Sequence, residues 1–352
     1  MATRGPTGNA PVLQLHPSRR CNIACAHCYS SSGPDAREEL PWDLLSGCLE
    51  DAAALGYRQL AVSGGEPLLY RSLAPLLRHA RSLGMLTSLT TNGMLATPSR
   101  WRPLAALLDV VAVSIDGVPA DHDAIRRSPG AFAKTVANLQ VIRDSGVAFG
   151  FIFTLTQYNV DSLEFVVRLA AEHGARSVQV HPLTLHGRAA LTLDGARPDG
   201  TELAAALAEA VHLGQQMGVV VHVDALTTAQ LRAYPTQVVP QRPIAALTDV
   251  APVLVVEADG TVVPLTHELD RQLALGTLAQ ARLSVLARAW LASGGGESLT
   301  RACERTWTEL SSQRAESAFY WYDEVAARTK DRLVPLTMSR SRREAQLQED
   351  QS

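Results

Sequence analysis

Between residues 12 and 183 strand-like and helix-like runs take turns, and that alternation leaves few architectures open. VLQLHP (12–17), RQLAVS (58–63), LTSLTT (86–91), VVAVSI (110–115), FGFIFTLT (149–156) and SVQVHPL (177–183) read as buried strands. Helical patterns fall between them at 41–55, 69–83, 98–107, 131–144 and 161–173. Pro41 near the start of the first helix and Gly56 past its end mark its limits. Repeated strand–helix units predict a parallel sheet with right-handed crossovers. The expectation is therefore an α/β chain, a partial (β/α)6 TIM-like barrel over residues 12–226, extended or flanked by a helix (201–217) and a strand (219–224). In such barrels chemistry belongs to the loops after the strands.

Around residues 227–250 the pattern breaks at Pro235, Pro240 and Pro243. VLVVEADGTVVPL (253–265) then reads as a hairpin turning at Asp259-Gly260, with helices expected at 279–292 and 307–331. This predicts a small α+β C-terminal extension over 227–335, between a disordered lead-in at 1–11 and a polar tail at 336–352. The balance of 32 basic against 35 acidic residues implies no field for nucleic acid. No apolar run nears the roughly 20 residues of a membrane span. The start, MATRGPTGNAP, lacks the apolar core of a signal peptide, so a cytoplasmic protein is expected.

Cys21, Cys25 and Cys28 stand as C-x3-C-x2-C just after the first strand. Cubane iron–sulfur clusters are usually held by four thiolates. Three from one tight loop fix three irons and leave the fourth open to another ligand. An odd total of 5 cysteines in 352 residues argues against a disulfide framework. A zinc site wants a fourth close ligand, and His27, between two of the cysteines, is badly placed to reach the same ion. The spacing also differs from the all-two-residue gaps of bacterial ferredoxins.

The triplet, with further segments in order after successive strands, resembles the radical S-adenosylmethionine (SAM) superfamily over roughly residues 12–190. The resemblance implies one [4Fe-4S] cluster held by Cys21, Cys25 and Cys28. It implies SAM on the open iron, reductive cleavage to a 5′-deoxyadenosyl radical, and removal of a substrate hydrogen by that radical. It also implies a flavodoxin- or ferredoxin-type electron donor.

Ser63-Gly64-Gly65-Glu66-Pro67 resembles the family's GGEP motif: Gly64 and Gly65 would let backbone approach the methionine part of SAM, and Glu66 would accept from its ammonium group. An ordinary Gly-Gly turn is the bland alternative. Thr91 and Asn92, in TTNG at the end of the third strand, are placed near SAM by resemblance; a helix cap or Asn-Gly turn explains them equally. Ser114 and Asp116, in SIDG, fall near the sugar or the substrate, although Asp116 also suits a cap. Arg126 is a candidate to grip the SAM carboxylate bidentately, against a plain surface arginine. His27 stands where relatives often carry an aromatic residue near adenine, against a surface histidine. Asn159, His181 and the Gly187-Arg188-Ala189 run match the pattern of peptide-modifying members.

Relatives with a SPASM or twitch extension place an auxiliary-cluster cysteine after such a hairpin. Here Leu265 occupies that position and only Cys303 remains downstream. The extension thus resembles a degenerate, cluster-free form, since one cysteine cannot hold a second cubane. Cys303 is either a buried apolar thiol or a hydrogen-atom donor to a substrate radical; Cys48, in LLSGCLE, reads as core.

Two enzyme functions follow from the resemblance, and one that is not enzymatic. The first is modification of a ribosomally made precursor peptide; no leader-binding domain is evident ahead of the cysteines, so a separate recognition protein is expected to supply one. The second is tailoring of a sugar- or nucleoside-like metabolite by dehydrogenation, epimerisation, dehydration or decarboxylation. The third, a scaffold with an idle cluster, does not account for the joint presence of the triplet, the GGEP segment and Arg126.

Overall fold

The computed structural model describes residues 10–330. The expected tail at 336–352 and nearly all of the expected lead-in lie outside them. The chain begins with β1 (Val12–Leu15) and continues α1 (Trp42–Ala54), β2 (Gln59–Val62), α2 (Leu73–Ser82), β3 (Leu86–Thr91), α3 (Pro98–Ala105) and β4 (Val110–Ser114). Next come α4 (Pro119–Arg126), α5 (Ala131–Asp144), β5 (Ala148–Leu155), α6 (Leu163–His173) and β6 (Ser177–Pro182). After α7 (Ala189–Thr192), α8 (Gly200–Met217) and β7 (Val220–Val223), the chain passes through β8 (Leu226–Thr227), α9 (Thr228–Ala233) and α10 (Leu247–Val250). It ends with β9 (Val253–Val256), β10 (Thr261–Pro264), β11 (Gly276–Thr277), α11 (Leu283–Ala292), α12 (Gly295–Ser311), β12 (Ala318–Phe319) and α13 (Trp321–Lys330).

One sheet carries almost all of this, in the order β11-β10-β9-β1-β2-β3-β4-β5-β6-β7. From β9 through β7 every neighbouring pair is parallel. The open parallel run, with helices in the crossovers, is the expected partial barrel. Along its strands fully buried apolar residues, among them Leu13, Leu60, Val111, Phe153 and Val178, alternate with half-buried polar ones such as Gln14, Ser88, Ser114 and His181 on the other face. Amphipathic α2 and α6 turn Leu73, Leu76, Leu77 and Leu163, Val166, Val167 inward against it.

The hairpin expected at 253–265 forms, but it does not stand apart from the barrel. β9 pairs in parallel with β1, so the sheet runs straight across the boundary expected at residue 226. The Tyr57 hydroxyl donates to the Ala251 carbonyl at 2.8 Å and closes the same seam.

Two expectations need correction. The helix expected at 307–331 is two: α12 starts at Gly295, and α13 begins only at Trp321 after a break containing β12. The Gly294–Gly296 run looks like a breaker in sequence. In the fold Gly294 caps the helix in the left-handed conformation (φ 82°), and Gly295 lies flat on the Trp290 indole, where a Cβ would come within 2.4 Å of ring carbons. The polar stretch after the fourth strand contains α4, started by Pro119. Among the described residues no helix is long and apolar enough to cross a membrane.

Candidate functional site

The cysteine loop, the GGEP, TTNG and SIDG segments, Asn159 and His181 lie at the C-terminal ends of the strands. The cysteine loop leaves β1 and is closed at its base by reciprocal bonds: Cys21 N–H donates to the Gly33 carbonyl (3.1 Å), and Gly33 N–H to that of Arg19 (3.2 Å). Inside the loop Ile23 packs with Met94 and Ala131, and Ala26 packs with Leu183, Ala189, Leu193 and Ala196. The three thiols are thereby left half-buried and unpaired by disulfides. The Cys28 sulfur accepts from Ser32 N–H at 3.3 Å, and that of Cys21 from the Asn92 amide at 3.9 Å. Such N–H···S contacts orient and tune metal-bound thiolates.

Gly64 and Gly65 bring the second strand's loop against the cysteine loop. A Cβ on Gly65 would lie 2.2 Å from the Arg20 carbonyl, so only glycine fits, while Gly65 and Glu66 N–H donate to Ser18 and Arg20. Glu66 is 2 % exposed. Its carboxylate accepts from Leu68 N–H (3.1 Å), the Thr91 hydroxyl (2.8 Å) and Asn92 N–H (2.9 Å), tying the second strand's loop to the third. Burial raises this carboxyl against those donors. The side chain expected to await an external ammonium group is thus largely committed within the protein. Asn92 in turn donates to Asn22 of the cysteine loop at 2.8 Å.

Asp116 is the hub of the fourth strand's end. One carboxylate oxygen accepts from Thr154 N–H (3.0 Å); the other receives Arg126 Nε (2.8 Å) and Nη2 (2.7 Å). Its amide donates to His122 Nδ1, and its carbonyl accepts from the Asn159 amide. Burial would raise the carboxyl, but Arg126, His27 and His122 outweigh it and hold the group at about 2. Two expectations change here. Arg126 is 5 % exposed, not a surface residue, and its Nε and Nη2 grip Asp116. Asp116, fully buried, faces no open space. Asn159 is an internal brace, its side-chain oxygen accepting from Thr156 and its amide donating to Thr154 and Asp116. Ser114, at the end of β4, is half-buried.

His27 is not a surface residue either. Its ring is buried, Nε2 lies 3.7 Å from Asp116, and Nδ1 has no partner. Burial lowers its pKa to about 4. His181 at the end of β6 is held by Asp224 at 2.9 Å and meets the Tyr320 ring edge-on with centroids 4.9 Å apart. Burial would lower it, yet the Asp224 carboxylate prevails and raises it. Cys303, on α12, is 1 % exposed and its thiol is pushed by burial to about 12. It lines a 310 Å³ cavity together with Leu265, Pro240, Trp321 and Tyr322. The position expected for the missing auxiliary cysteine and the remaining cysteine thus border one cavity. Cys48 lies in the core, as read.

Sequence reasoning left Tyr29, His16 and Arg188 without a role in the loop. The Tyr29 hydroxyl lies 3.2 Å from His16 Nε2 on β1's continuation, and Arg188 bonds the Cys25 and Ser32 carbonyls. The GRA run was the one signal that pointed to Arg188.

The donor set fits an iron–sulfur cube. Three free thiols stand on one short loop, and a cube spreads such ligands over separate irons. Arg126 is a buried cation felt by both Cys25 and Cys21 and offsets thiolate charge.

Comparison with known proteins agrees. The Radical SAM superfamily profile matches residues 15–170. PqqA peptide cyclase of Ruegeria pomeroyi is 34% identical over 210 residues, covering 57% of this chain and 56% of that protein. Pre-heme d1 synthase of Dinoroseobacter shibae is 34% identical over 180 residues, 51% of this chain and 45% of the relative. The chain thus spans about half the length of these curated relatives. Among solved structures, Streptococcus suis SuiB bound to its precursor peptide SuiA superposes with a TM-score of 0.59 at 16% identity, over 72% of this chain and 59% of that one. Native anSMEcpe with bound AdoMet gives 0.61 at 15% identity, over 91% and 96%. At these identities the likeness shows the fold.

Proposed function

We propose that this chain, whose residues 15–170 form a domain of the radical SAM superfamily, is an enzyme that cleaves SAM reductively and takes a hydrogen atom from a peptide substrate. The family's cofactors are one [4Fe-4S] cluster and SAM. When bound, the cluster supplies the single electron that breaks the S–C5′ bond of SAM.

The residues of this chain bind, orient and shield. Cys21, Cys25 and Cys28 hold the cube, and Asn92 and Ser32 aim two of their sulfurs. Arg126, fixed by Asp116, places positive charge behind the loop. The Gly64–Gly65 backbone, free of side chains, offers the methionine part of SAM a close approach. Ser114 and the ring of His27 would, as the resemblance implies, contact the sugar and base. His181, oriented by Asp224 and set edge-on against Tyr320, suits substrate contact.

The observation that carries this reading is the cysteine loop itself: three half-exposed thiols, no fourth ligand from His27, and bracing from the second, third and sixth strands' loops. A peptide substrate is supported by the relative named PqqA peptide cyclase and by the fold shared with SuiB. Relatives named for heme synthesis favour a second reading, a small metabolite such as a tetrapyrrole. Reduced, cluster-loaded protein incubated with SAM and either candidate precursor peptides or a metabolite extract separates them. A mass change confined to a peptide is the expected result; one confined to the metabolites overturns the peptide assignment.

A further inference from the structure

The loop carrying the three cysteines has no helix or strand of its own, so its backbone carbonyls must find donors elsewhere. A single short segment after β6 supplies four of these bonds. Arg188 Nη1 donates to the Cys25 carbonyl at 2.9 Å and Nη2 to the Ser32 carbonyl at 2.7 Å. The backbone N–H of the same residue donates to the Cys28 carbonyl at 2.9 Å. One turn later the Thr192 hydroxyl donates to the Ala26 carbonyl at 2.8 Å. The contact is tight enough that Gly187, at φ +57°, has no space for a Cβ, which would lie 2.1 Å from the Tyr29 carbonyl oxygen. Ala189, fully buried, packs with Ala26 of the loop.

We propose that Arg188 is the positioning residue of the cysteine loop: its fork and its amide lock the backbone at Cys25, Cys28 and Ser32, and so hold the thiols in ligating register. This rests on the cluster reading above. The guanidinium is suited because it is planar and spans two carbonyls at once, which a lysine ammonium on a flexible stem cannot do with the same register. It also keeps a permanent cation against the backbone of the cysteine loop, where charge is one of the protein's levers on cluster potential. Arg188 touches neither SAM nor substrate in this account; it acts through the loop.

The test uses the full chain. Hydrogen exchange of amides 21–33 is read on metal-free protein, and iron loss to a strong chelator and the midpoint potential are read on loaded protein. Arg188→Met should speed loop exchange and iron loss about tenfold or more, the usual size of effect for residues that orient metal ligands, and should move the potential negative. Arg188→Lys should keep the potential near wild type while still losing iron faster. Thr192→Val, at an exposed position with one bond to the loop, should give a smaller acceleration and covers the case in which Arg188→Met does not fold. Arg37→Met is the control, because the Arg37 guanidinium bonds only carbonyls of its own segment, Pro34 and Ala36. If Arg188→Met matches wild type in loop exchange and iron retention, the proposal is overturned. A wild-type chain that protects the loop but takes up no iron counts instead against the proposed function.

Discussion

Gly65 has no room for a side chain, because the Arg20 carbonyl stands 2.2 Å from where its Cβ would be. Gly65→Ala should therefore push the cysteine loop off the second strand's loop and cost about 1–3 kcal/mol of stability, as forced overpacking does; chemical denaturation measures it. The Asp116–Arg126 pair belongs to the same scale. Removing one partner of a buried ion pair strands the other, so Asp116→Asn should cost about 3–5 kcal/mol. A loss below about 1 kcal/mol would contradict the hub described for that carboxylate. Sequence displayed both residues but not their partnership. Each is polar and near a strand end, and an external carboxylate or a helix cap explains them as well as each other does. Only the turn of α4, which brings residue 126 back over residue 116, decides the matter. Glu66 is a similar case: its motif position announces a ligand, while its three internal donors become visible only when the third strand is beside it.

At the scale of elements, β5 and α6 were legible because a short aromatic-rich run preceded by Gly146 and a longer stretch with one apolar stripe differ in length and composition. α12 was not, since Gly294–Gly296 reads as a stop until Trp290 lies across it. The short α7 segment carries no periodic signal, yet it braces the loop. Elements also carry the acid response. His16, behind β1, and His122, on α4, are both lowered to about 4, His16 by burial and then Arg19, His122 by burial and then Arg126. In the unfolded chain each titrates near the usual 6.5. The unfolded state therefore takes up protons first as pH falls, so stability is full above about 6.5 and declines as pH drops toward about 4. Denaturation midpoints of metal-free protein at pH 7.5, 6 and 5 should fall in that order. A flat profile would contradict the burial of these rings as neutral acceptors.

For the whole molecule, the hairpin after residue 250 is part of the barrel's sheet and not a separate extension. β1 sits between β2 and β9, and Leu254, Val255 and Val256 are completely buried. A chain cut after residue 226 would leave β1 as an unpaired apolar edge, a template for aggregation. It should fail to give soluble, cooperatively folding protein; a soluble fragment with a sharp thermal transition would contradict the continuity of the sheet. From sequence the hairpin itself was visible through its Asp-Gly turn, but its parallel partner lies some 240 residues upstream, and no local pattern records such a pairing.

The central claim is that Cys21, Cys25 and Cys28 hold a cluster that breaks SAM. The most direct measurement is 5′-deoxyadenosine formed from SAM by anaerobically reconstituted, reduced protein, side by side with Cys25→Ala. The account predicts product from the wild-type chain and none from the variant, with thermal stability of the metal-free forms nearly equal, since the loop lies outside the main core. Product from Cys25→Ala at the wild-type rate, or a wild-type chain that binds zinc and makes none, would contradict it.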